Sequence, residues 1–108
     1  MNEPAAVTAL SALAQQTRLR IFRSLVGAGP EGLTPSTLAA TLGLSGSTLS
    51  FHLKELAHAG LVSVIRDGRQ LFYRPDIEHM NELVGYLVDH CCHGRACAPA
   101  PKRARARC

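Results

Sequence analysis

The chain has 108 residues, 46% of them hydrophobic and 19% charged. That fits one small domain and leaves no apolar run long enough for a membrane-spanning helix. The first residues lack the basic and apolar regions of a secretion signal. The expected location is therefore the cytoplasm, where the four cysteines stay reduced and read as ligands rather than disulfides. The net charge of +4 comes entirely from Lys102, Arg103, Arg105 and Arg107. The rest of the chain is balanced, so it is not a generic polycation, and any DNA contact must depend on local placement of charge.

Val7, Leu10 and Leu13 form an apolar stripe among alanines, which predicts a short helix over residues 4–14. Thr17 is expected to cap a second helix with Leu19, Phe22, Leu25 and Val26 on its buried face. The glycine-rich run 27–32 reads as a loop. Thr34-Pro35 is a helix start, with Thr34 as cap and Pro35 in the first turn, and Gly43 is its stop. Ser45 caps the next helix, which ends at Gly60. Residues 61–66 and 70–73 read as short strands around the Asp67-Gly68 turn. Asp76 opens a last helix with Ile77, Met80, Leu83, Val84, Leu87 and Val88 on one side, expected to fray near Gly94. The predicted fold is mainly α with a two-stranded β wing, a winged helix-turn-helix. Residues 1–94 form the DNA-binding and dimerisation domain, and residues 95–108 a basic tail expected to be disordered, from which Cys97 folds back.

On the helix after Ser45, about 100° per residue places Leu49, Leu53 and Leu56 on the core side. Ser47, Ser50, Phe51 and Lys54 fall on the opposite side, with Thr48 at its margin. Hydroxyls and free N–H groups at a helix N-terminus suit phosphates and base edges, and an outward aromatic suits a thymine methyl. The candidate DNA contacts are Ser45, Ser47, Thr48, Ser50, Phe51, His52, Lys54 and, at the wing tip, Arg69. His52 lies nearer the core boundary and reads equally as a packed histidine. Phe51 reads otherwise as a protein contact, and Arg69 as a solvated turn charge.

The runs Thr17-Arg18-Leu19-Arg20-Ile21, Leu42-Gly43-Leu44-Ser45 to Ser50, His52-Leu53-Lys54-Glu55-Leu56, Ala59-Gly60-Leu61-Val62, Arg66-Asp67-Gly68-Arg69 and Tyr73 together resemble the ArsR/SmtB family of metal-sensing repressors. The resemblance covers about residues 5 to 93. It implies a homodimer packed through the first and last helices. It also implies operator DNA held by the ion-free protein and released when the ion binds. Phe51 departs from the polar residue often found at its position, which bears on base preference.

The resemblance offers three places for an ion. A two-cysteine site before the recognition helix is absent, because Thr34 and Ser36 stand there. A site along the last helix corresponds to Ile77, His79, His90 and His93. Its carboxylate is lost, and the three histidines remain as a zinc alternative. The third is the thiol cluster. Cys91, Cys92 and Cys97 lie within seven residues and resemble the arsenic-responsive branch. Soft thiolates select soft ions, and trivalent arsenic, or antimony, takes three. The expected function is a homodimeric repressor induced by arsenic through these cysteines. A zinc-responsive repressor and a thiol-redox sensor are the alternatives. Cys108 reads as a bystander. An enzyme is not expected, because no anion loop or Cys-x5-Arg pattern accompanies any cysteine.

Overall fold

A computed structural model of the chain describes residues 1–89. The order is α1 (Glu3–Leu13), α2 (Gln16–Ala28), α3 (Pro35–Leu42), α4 (Gly46–His58), β1 (Val62–Asp67), β2 (Gln70–Pro75) and α5 (Ile77–Val88). This is a winged helix-turn-helix. The two strands pair antiparallel from Val62↔Pro75 to Asp67↔Gln70, leaving Gly68 and Arg69 as a two-residue loop. Gly68 supplies the positive φ that such a tight turn requires.

The core gathers Ile21, Phe22 and Leu25 of α2, Leu38 of α3, Leu49, Leu53 and Leu56 of α4, and Leu61, Val62 and Leu83. Burying these branched side chains against one another is the main source of stability. α1 closes the core with Ala6, Ala9 and Ala12. Small residues there let the helix axis lie close, and they turn Val7 and Leu10 outward. The face buried within the chain is thus the alanine face, not the Val7–Leu10 stripe, while Leu13 is partly buried against the core.

α2 differs from expectation at two points. Its cap is Gln15, whose side chain accepts from the Arg18 N–H at 2.8 Å, and Thr17 lies inside the helix. Leu19 and Val26 are exposed, and the buried face is centred on Ile21, Phe22 and Leu25. The caps of the helix-turn-helix agree with the sequence reading. Thr34 Oγ1 accepts from the Thr37 N–H at 3.3 Å, and Ser45 Oγ from the Thr48 N–H at 3.2 Å. Between them Gly43 adopts φ 68°, ψ 36°, the left-handed conformation that ends α3 and turns the chain into α4.

A contact unforeseen from the sequence joins the loop before α3 to the wing. Leu33 and Tyr73 exchange both backbone hydrogen bonds, at 2.9 and 2.8 Å. Gly32 makes this possible, because a β-carbon there would collide with the Tyr73 carbonyl and the Arg74 side chain. The wing is therefore anchored at its base to the entrance of the helix-turn-helix.

α5 closes at Val88, where Asp89 takes extended backbone. Aspartate is a weak helix former, and its charge opposes the negative end of the helix. The expected fraying near Gly94, like the fate of residues 90–108 including the tail, lies outside the described residues.

Candidate nucleic-acid interface

α4 is held by its inner face and free on its outer one. Leu49, Leu53 and Leu56 are buried, whereas Ser45, Ser47, Thr48, Ser50, Phe51 and Lys54 are all exposed. Phe51 is 57% exposed, an unusual state for an aromatic in a chain with few aromatics. The helix start carries a hydroxyl cluster. Ser45 Oγ lies 2.9 Å from Thr48 Oγ1 and 3.4 Å from Ser47 Oγ. These groups surround the N–H groups of the first turn, at the positive end of the helix dipole, where a phosphate is favoured.

His52 is half-buried and differs from its neighbours. Its Nδ1 accepts from Arg18 Nη1 at 3.2 Å, and its ring meets Phe51 edge-on with centroids 5.2 Å apart. Burial, and then the positive charge of Arg18, hold its pKa below the ordinary 6.5, against an opposing pull from Glu55. The sequence left its packed and DNA-facing readings open. The structure places the ring at the boundary between core and surface, with one nitrogen committed to Arg18.

At the wing, Arg69 and Arg66 are exposed around the turn. Arg69 and Gln70 share a shallow depression with Thr34 and Ser36 at the start of α3. The hydroxyls of α3 and the cation of the wing tip therefore lie on one side of the molecule.

His79 is the described member of the last-helix histidines. Its N–H donates to the Asp76 carboxylate at 2.9 Å, Nδ1 lies 3.8 Å from Glu82, and the ring packs against Gly60. No group of three metal-ligating side chains gathers among the described residues. His90, His93, Cys91, Cys92 and Cys97 lie outside them.

The helix-turn-helix domain family matches residues 13–65, the span from the end of α1 into β1. The transcriptional regulator CmtR of Mycobacterium tuberculosis is 39% identical over 89 residues, covering 82% of this chain and 72% of the relative. The ArsR-like transcriptional regulator of a Rhodococcus species superposes with a TM-score of 0.70 at 28% identity, over 78% of this chain and 76% of that one. The chain belongs to the ArsR family of helix-turn-helix transcriptional regulators. Two further similarities bear on assembly and ligand. A homodimeric winged helix-turn-helix DNA-binding domain of Mycobacterium bovis superposes with a TM-score of 0.64 at 25% identity, over 89% of each chain. A Halobacterium salinarum protein named for repression of an arsenical resistance operon is 41% identical over 68 residues, 63% of this chain and 52% of its own length. The chain spans between 52% and 72% of the length of the curated relatives it matches. These relatives are named as regulators, so the enzyme reading is set aside. No helix among the described residues is long and apolar enough to cross a membrane.

Proposed function

We propose that this ArsR-family regulator is a cytoplasmic homodimeric repressor that releases its operator when trivalent arsenic, or antimony, binds Cys91, Cys92 and Cys97. The observation that carries the DNA half is the outer face of α4. Hydroxyls, an exposed phenyl ring and a cation stand on a helix whose opposite face is locked into the core. Such a helix presents donors, an apolar contact and a charge to the major groove without reorganising, while Arg69 reaches toward a flanking phosphate or the minor groove.

Dimerisation is supported by the outer sides of α1 and α5. Val7, Val84, Leu87 and Val88 are all more than half exposed, a costly arrangement in a single chain and a natural one in a paired interface. A dimer fixes the distance between two recognition helices, which must match half-sites a whole number of turns apart.

The ion half rests on donor chemistry. Three thiolates within seven residues suit a soft trivalent ion, and the likeness to an arsenical resistance repressor supports that choice. Adjacent thiols splay by about 100° on a helix, so one ion is reached by both only beyond the helical end. The described part of α5 ends at Val88, and the cysteines lie outside the described residues. The ion would then act on the chain next to the dimerising face of α5 and shift the spacing of the two reading heads. The zinc alternative gains less support, because the His79 ring is packed against Gly60 and next to Glu82.

The test is a gel shift on a duplex selected by the reduced protein. Arsenite should release the DNA, whereas zinc and peroxide should not. Release by zinc alone, or by oxidation alone, would replace arsenic with that alternative.

A further inference from the structure

Arg18 joins two elements far apart in the chain. Its Nε donates to the Ala12 carbonyl at 2.7 Å, near the end of α1, and its Nη1 to His52 Nδ1 at 3.2 Å, in the middle of α4. A guanidinium carries donors only, so Nδ1 must accept. The ring proton then sits on Nε2. Burial and the Arg18 charge both favour the neutral ring, and only Glu55 opposes them. Nε2 makes no hydrogen bond to another described residue, and no polar side-chain atom is buried without a partner. The Nε2–H donor therefore meets solvent.

Its direction follows from the helix. At about 100° per residue, His52 stands roughly 70° from the core direction of Leu49, Leu53 and Leu56, while Phe51 stands nearly opposite the core. A helix seated in the major groove points its outermost residues at base edges and its flanks at the sugar–phosphate walls. His52 is a flank residue, on the same side as Thr48. The other titratable groups beside Arg18 here are Glu55 and His58, both on α4.

We propose that Arg18 is a positioning residue that fixes His52 with Nε2–H presented to a phosphate oxygen of bound DNA, and ties that contact to the end of α1. The proposal rests on the DNA-binding reading above. Its consequence is mechanical. The anchor at Ala12 belongs to the helix whose outer side carries Val7 and Leu10, so displacement of α1 reaches the phosphate donor through two side chains.

The test uses isosteres that keep one nitrogen position each. In His52→Gln the amide nitrogen keeps the Nε2 donor and loses the Nδ1 acceptor. In His52→Asn the amide oxygen keeps the acceptor for Arg18 and loses the donor. Binding is measured on a labelled duplex carrying a site selected from a random library by the wild-type protein, and on a mixed-sequence duplex of equal length. His52→Asn should weaken both duplexes about tenfold, while the slope of affinity against salt stays unchanged, because a neutral donor displaces no counterion. His52→Gln should lose less than His52→Asn, about threefold, because it keeps the donor and forfeits only the Arg18 link that positions it. Long-range 1H–15N spectra of the free protein should show the Nε2–H tautomer of His52, and Arg18→Met should mix the tautomers while losing about tenfold in binding.

The reverse order of the two isosteres, equal effects of both, or a loss confined to the selected site would each overturn the phosphate contact. An unchanged tautomer and unchanged affinity in Arg18→Met would overturn the positioning role. Failure of the wild type to bind either duplex would instead overturn the DNA reading itself, and the tautomer spectra would still report on the Arg18 link.

Discussion

Gly60 takes φ 81° at the exit of α4, and a β-carbon there would lie 2.9 Å from Nε2 of His79. Two costs are superposed, one from the left-handed backbone and one from the ring. Gly60→Ala should lose about 1–3 kcal/mol in chemical denaturation. Adding His79→Ala should recover the steric part and leave roughly 1 kcal/mol of backbone cost. A double variant as unstable as Gly60→Ala alone would show that the ring does not matter. His52 gives a pH prediction. Its folded pKa lies below 6.5, so the unfolded chain binds its proton more readily. The stability it contributes is complete above pH 6.5 and is lost as pH falls through the folded pKa. Wild type should therefore lose stability relative to His52→Asn between pH 7.5 and 5.5, and parallel curves would refute this. Phe51 and Arg69 separate two kinds of DNA contact. Phe51→Ala should change which sequences a binding selection recovers, whereas Arg69→Ala should weaken all of them alike and flatten the salt dependence. Identical selected sites for Phe51→Ala and wild type would remove the ring from base reading.

At the scale of elements, local chemistry was the legible part. Thr34-Pro35, Gly43, Ser45 and Gly68 each act within a few residues, and each sits where its cap or turn was expected. What depends on distant partners was not legible. Gln15 rather than Thr17 caps α2, because its longer side chain reaches the Arg18 N–H from one turn away. The stripe of α2 is centred on Ile21, Phe22 and Leu25, because α4 and α3 decide which side is inner. The Leu33–Tyr73 pairing joins residues 40 positions apart and has no periodic signature. The Arg18–His52 link escaped for the same reason, although both residues stood in the runs that carried the family resemblance. Of the candidate DNA contacts within α4, the exposed set followed from helical periodicity, whereas the state of His52 required the fold. α1 and α5 were read as apolar stripes. Packing instead buries the alanine side of α1, Ala6–Ala9–Ala12, and Leu83 of the α5 stripe, and leaves an outer apolar side on each helix. The outer sides give a prediction. Leu87 is 56% exposed, so Leu87→Asp should leave the monomer fold intact by circular dichroism while abolishing the dimer in sedimentation. Operator affinity should fall with it. A dimer that survives the substitution would place the interface elsewhere.

For the whole molecule, the reading heads and the thiols occupy opposite ends of the sequence logic. α4 is buried along its inner face, and no group of three metal-ligating side chains gathers on it or elsewhere among the described residues. The cysteines follow α5, whose exposed side is the proposed seam between subunits. On the proposed reading, an ion there would act on DNA by changing how two subunits are set, and this demands that release and binding be separable by mutation. Cys91→Ser and Cys92→Ser should bind the operator as wild type does and fail to release it with arsenite. Cys97→Ser should weaken release, and less so for an organoarsenical that needs only two thiols. Cys108→Ser should do little. His79, His90 and His93 changed together to alanine should leave arsenite release intact, since imidazoles are poor partners for a soft trivalent ion. X-ray absorption at the arsenic edge should give a first shell of three sulfurs in the wild type and two in Cys97→Ser. A shell of nitrogen or oxygen, or normal arsenite release from a chain lacking both Cys91 and Cys92, would overturn the thiol site and leave the fold and the DNA face as they are.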